Sequence, residues 1–98
     1  MKILLIDDDE DLAKTLYEVL SHKGHNLIIL NDGRQGLRML RKVNFDVILL
    51  DVGMPYFSGL DIINELVKDG TINNYNIIIL TGVAMKDLEL AQLVKNGI

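Results

Sequence analysis

A chain of 98 residues, 49% apolar and only 5% aromatic, is one small domain with a core built mostly from Leu, Ile and Val rather than a disordered segment. Ten basic against fourteen acidic residues, a net charge of -4 and a pI near 4.9 leave no electrostatic footprint for nucleic acid or an anionic membrane. With no cysteine there is no disulfide framework, thiolate metal site or thiol nucleophile, and no apolar stretch approaches the ~20 residues of a spanning helix, so a soluble, cytoplasmic chain is expected.

Lys2 to Ile6 reads as a short apolar strand that runs straight into a run of acids that opens with Asp7, Asp8, Asp9 and Glu10. Behind them Leu12, Leu16, Val19 and Leu20 recur at helical spacing, and Gly24 is placed to end that helix. Asp9 and Glu10 are read as cap and first-turn acids that favour the positive end of the helix. Leu27 to Leu30 is a second apolar run. Asn31, Asp32 and Gly33 then supply turn and cap chemistry ahead of Leu37, Leu40 and Val43, which are spaced by three. This second helix carries Arg34, Arg38, Arg41 and Lys42, a set that could serve as a docking face but is read as its solvated side. His22 and His25 flank Gly24 without a carboxylate pattern that suggests metal ligation, and they are given no catalytic role.

The stretch from Asp46 to Gly59, DVILLDVGMPYFSG, organises the rest. Val47 to Leu50 is an uninterrupted apolar run, which suits a parallel strand covered on both faces. Asp51 follows at once, and Pro55 biases Met54 away from helical geometry, so Asp51 is expected at the mouth of the strand with a loop behind it and Ser58 capping the next helix. Leu60, Ile63, Leu66 and Val67 mark that third helix, Gly70 ends it, and Thr71 to Asn76 is a polar linker. Ile77 to Leu80 is a fourth strand closing in Thr81 and Gly82, and Leu88, Ala91 and Val94 form the stripe of a fourth helix before Gly97. Strand and helix alternate throughout, which predicts a parallel sheet with right-handed crossovers and helices on both faces. If strand order reverses after the first strand, its C-terminal end lies beside that of the third, and Asp7 and Asp8 face Asp51. Three converging carboxylates repel unless a proton or cation intervenes, and an all-oxygen site suits a hard ion such as magnesium. Thr81 adds a hydroxyl beside the same crevice, and Gly53 and Gly82 keep its entrance uncrowded.

The acidic pair after the first strand, the segment ILLDVGMPYFSG and the threonine closing the fourth strand occur together at suitable spacing. On these motifs the chain resembles the receiver domain of two-component response regulators over essentially all 98 residues. The resemblance implies a flavodoxin-like doubly wound parallel sheet of strand order 2-1-3-4, a (βα)4 form of the (βα)5 receiver fold, in a domain covering residues 1–98. It implies a phosphoacceptor rather than an enzyme, with Asp51 as the acceptor and Thr81 hydrogen-bonded to the phosphoryl oxygen. Magnesium would be ligated by Asp8, Asp51 and the backbone carbonyl of Gly53, with Asp7 assisting through water. The partner would be a histidine kinase or a phosphotransfer protein. Receivers continue into a fifth strand bearing a lysine and a fifth helix. Neither Lys86 nor Lys95 takes that lysine's place, and a chain ending at Ile98 is expected to self-associate through its exposed fourth strand or the uncovered side of its first helix. Two other classes stand beside this one. A haloacid dehalogenase-type hydrolase also uses a strand-terminal aspartate but needs a second where Gly53 stands, whereas a receiver-like interaction module would bind partners without accepting phosphate.

Overall fold

The apolar runs become strands that end at or just before the first acid or turn residue. In the computed structural model, which describes residues 1–80, the order is β1 (Lys2–Ile6), α1 (Glu10–His22), β2 (Asn26–Leu30), α2 (Gly33–Lys42), β3 (Val47–Asp51), α3 (Gly59–Lys68), a single 3-10 turn (Ile72–Asn74) and β4 (Ile77–Leu80). Thr81, Gly82 and the predicted fourth helix lie outside the described residues. The four strands form one parallel sheet in the order β2-β1-β3-β4, as the alternation of strand and helix predicts.

Helix starts are set by side chains that satisfy the free N–H groups of the first turn. Asp9 accepts from the N–H of Leu12 at 3.1 Å, and Asp32 accepts from those of Arg34 and Gln35 at 2.7 and 3.3 Å. Ser58 and Asp61 form a reciprocal capping box at the start of α3, the Ser58 N–H donating to Asp61 at 2.7 Å. The reading of Asp9 as a cap is correct.

Alternation along β1 and β3 divides the core into two layers. Ile3, Leu5, Val47 and Leu49 face Leu12, Ala13, Leu16 and Leu20 of α1. Leu4, Ile6, Ile48 and Leu50 face the opposite layer, with Leu40 of α2, Ile62 and Leu66 of α3, and Met54. Every residue of β3 is buried, the environment its unbroken apolar run requires. At the N-terminal edge of the sheet Asp46 ties β1 to β3: its carboxylate accepts the Lys2 N–H at 2.6 Å and its own N–H donates to the Lys2 carbonyl at 2.8 Å. That tie holds the register in which Ile6 lies opposite Leu50.

The face of α3 departs from the expected one. Leu60 and Val67 are more than half exposed, and the buried stripe is Gly59, Ile62 and Leu66, with Ile63 half-buried. The cause is Gly59. A Cβ there would lie 2.5 Å from the Asp51 carbonyl oxygen and 2.9 Å from Leu50 Cγ, so the helix begins pressed against the backbone of β3, and that contact sets its rotation.

Candidate functional site

Asp7 and Asp51 each follow their strand's apolar run by one step, and the strand order puts those two steps side by side. Ile6 pairs with Leu50, so the residues after them emerge together at the C-terminal edge, where ligands bind in open α/β sheets. Both continue the odd-numbered face of their strands, the α1 side. There, with Asp8, Asp9, Leu12, Gly53 and Leu80, they line a cavity of about 160 Å³. One carboxylate oxygen from each of Asp7, Asp8 and Asp51 lies within 4.8 Å of the others. The structure thus brings together the three acids expected to converge. Gly53, expected to contribute its carbonyl, stands in the same wall, while Thr81 lies outside the described residues.

The three acids differ in environment. Asp8 is exposed, Asp51 is 9% exposed and Asp7 only 2%. The Asp51 Oδ1 atom accepts the Gly53 N–H at 2.8 Å, which fixes the rotation of its carboxylate. Asp7 Oδ1 accepts the Asp9 N–H at 2.9 Å, and the Asp7 N–H donates to the Leu30 carbonyl at 3.0 Å, extending the ladder between β1 and β2 by one residue. Burial pushes the Asp7 carboxyl up to about 7, against the pull of the Asp9 N–H, and the neighbouring Asp51 carboxylate adds to the rise. A proton therefore supplies part of the neutralisation that the cluster needs. The donor set is all oxygen, small and anionic, which fits a hard divalent cation such as magnesium.

This gives a pH dependence of definite sign. Between pH 4 and pH 7 the folded chain retains a proton on Asp7 that the unfolded chain, at the ordinary 3.8, has released. Without divalent cation, Asp7 therefore lowers stability progressively as pH rises through that window. Urea unfolding in EDTA at pH 5 and pH 7.5 should show the fall in the native chain and a smaller one in Asp7→Asn. Equal falls in the two proteins would show that Asp7 carries no such linkage.

Three features of the corner had no signal in the sequence reading. Met54, read only as a break in the pattern, is buried beneath the loop at 6% exposure. Tyr56 is fully exposed and adopts a left-handed backbone conformation with φ of 62°. Arg34, read as part of a solvated side, places its guanidinium carbon 4.6 Å from the centroid of the Phe57 ring. Farther along the same helix, Arg41 pairs with Asp69 at 2.6 Å, an exposed bridge between the ends of α2 and α3. Methionine and arginine at these positions become informative only once the β3–α3 loop is folded onto α2.

Fold and site together define a doubly wound α/β domain with a strand-terminal acidic cluster at the point where strand order reverses. The chain belongs to the response regulator receiver domain family, which matches it over residues 3–98. The probable transcriptional regulator ycf29 of Pyropia yezoensis is 32% identical over 84 residues, covering 86% of this chain and 38% of that protein. Among solved structures, the response regulator protein TrrA from Thermotoga maritima, in complex with Mg(2+)-BeF, superposes with a TM-score of 0.73 at 30% identity over 84% of this chain and 70% of that one. The structure of histidine kinase ThkA in complex with TrrA gives a TM-score of 0.72 at 31% identity, over 83% of this chain and 68% of that one. The chain spans between 27% and 38% of the length of the curated relatives it matches. Among the described residues no helix is long and apolar enough to cross a membrane.

Proposed function

We propose that this domain receives a phosphoryl group on a carboxylate oxygen of Asp51, from the phosphohistidine of a histidine kinase or phosphotransfer protein or from a small acyl phosphate. The observation that carries this reading is the convergence of the Asp7, Asp8 and Asp51 carboxylates within 4.8 Å at the C-terminal edge of β1 and β3. An aspartate carboxylate is a competent nucleophile toward phosphorus, and the transfer needs positioning and charge neutralisation more than covalent assistance. Asp51 forms the new oxygen–phosphorus bond while the bond from phosphorus to the donor's nitrogen or oxygen breaks and its electron pair leaves with the donor. The Gly53 N–H, at 2.8 Å from Asp51 Oδ1, holds the carboxylate in one rotation during that approach.

Asp8, Asp51 and the carbonyl of Gly53 would hold magnesium directly, with Asp7 reached through water. Bound there, the ion supplies positive charge against the carboxylates and the incoming phosphoryl oxygens. Asp7, buried and protonated up to about 7, has to lose its proton for the full negative charge of the cluster to be present. The Thr81 hydroxyl would donate to a phosphoryl oxygen. Added charge at the end of β3 then alters the surface offered to an effector. The complexes of TrrA with Mg(2+)-BeF and with ThkA support the choice of cation and of partner.

Intact mass after treatment with a small acyl phosphate tests the reading. The expected result is a gain of one phosphoryl group with millimolar magnesium and none with EDTA. An unmodified mass with magnesium present would count against phosphoacceptance and favour a module that binds partners without it.

A further inference from the structure

We propose that Gly33, Arg34 and Phe57 form a clamp between α2 and the β3–α3 loop that sets the magnesium affinity of the acidic corner by fixing Gly53. The proposal rests on the magnesium site described above. Its three residues are outside that site and are positioning residues.

Residues 52–58 connect the phosphoacceptor strand to α3 and are held at three points. Met54 is buried among Ile6, Ile48 and Leu50. Gly59 lies against the backbone of Asp51 at the far end. Between them Phe57 is pressed onto the start of α2, where a Cβ on Gly33 would fall 2.0 Å from the Phe57 carbonyl oxygen and 3.2 Å from its Cδ1. Only glycine admits that approach. The Arg34 guanidinium then covers the Phe57 ring at 4.6 Å, within cation–π range. Asp32 in turn holds the N–H groups of Arg34 and Gln35, so the clamp is built on a capped helix start.

Local preference does not explain the loop's shape. Tyr56, next to Phe57, sits at φ of 62°, a conformation that a tyrosine adopts only when its surroundings over-determine it. Its side chain is fully exposed, so the constraint acts through its neighbours in the chain. The residue between the β3 end and these anchors that meets the chemistry is Gly53, whose N–H orients Asp51 and whose carbonyl is the proposed backbone ligand. Outer contacts that orient a metal's ligands commonly change affinity by about 10- to 100-fold when lost.

Charge alone predicts the opposite. Arg34 and Asp8 line the same cavity of about 320 Å³, so the guanidinium stands near the cation site. Removing a positive charge there should tighten cation binding; releasing the loop should weaken it. The sign of the effect separates the two.

Magnesium alone, titrated onto the unphosphorylated chain and followed by its shift of the thermal midpoint, is the test. The midpoint in EDTA reports the fold separately. Arg34→Ala should weaken magnesium binding about tenfold while its EDTA midpoint stays near that of the native chain, since the side chain is exposed. Arg34→Lys, which keeps a cation over the ring, should recover part of the loss. Phe57→Leu, which keeps all charges and most of the apolar volume, should weaken binding in the same direction. Unchanged or tighter binding in Arg34→Ala, or no weakening in Phe57→Leu, would overturn the clamp. Asp8→Asn run alongside is the reference: if it binds magnesium like the native chain, the site itself is misassigned, a separate outcome from failure of the clamp.

Discussion

Asn in place of Asp51 should leave no phosphoryl adduct under conditions that modify the native chain, a loss of the whole signal. The amide oxygen of asparagine is a poor nucleophile toward phosphorus, while its volume is that of aspartate and it still accepts the Gly53 N–H that now reaches Asp51 Oδ1 at 2.8 Å. The substitution therefore removes the chemistry and keeps the strand. It also removes one of three crowded carboxylates, so the Asp7 carboxyl should titrate lower than about 7 and the magnesium-free protein should gain stability. Peptide mapping of the native adduct and the unfolding midpoint in EDTA check the two halves. An adduct on Asp7 or Asp8, or an adduct that survives in Asp51→Asn, would sink the assignment.

Loss of the Asp8 carboxylate should abolish the stabilisation that magnesium confers. A ligand that binds only the folded chain stabilises it by about 2.7 kcal/mol at one hundred times its dissociation constant, on the order of ten degrees in the midpoint for a domain of this size. The three carboxylates meet only in the folded sheet, because Asp7 and Asp51 are 44 positions apart in the chain, so magnesium has this preference for the native state. Asp8 is exposed, which makes Asp8→Asn a clean probe: the fold in EDTA should be little changed while its response to millimolar magnesium disappears. A response equal to that of the native chain would remove Asp8 from the ligand set.

Most of this corner could be read in the chain itself. Apolar runs closed by an acid at Asp7 and Asp51 announce strands that end in carboxylates, and a run as unbroken as Val47 to Leu50 announces burial on both faces. Caps such as Asp9, Asp32 and Ser58 are local chemistry, set by side chains that reach N–H groups two or three residues away. Element identity and order follow from interactions of this range.

What faces what was decided only by the assembled sheet. A periodic pattern shows which residues share one side of a helix, but Leu60 and Val67 are as apolar as Ile62, and only the pressure of Gly59 on Asp51 turns α3 so that Ile62 goes inward. The same holds for charge. Asp7 and Asp8 are adjacent and chemically identical, yet β1 packs Asp7 to 2% exposure beside Asp51, where burial pushes its carboxyl up to about 7, and leaves Asp8 in solvent. Arg34 was ordinary surface until Phe57 arrived from 23 positions farther along the chain. Local sequence determines conformation through neighbours a few bonds away, whereas burial, proton affinity and long-range partners depend on which surfaces the closed fold brings together.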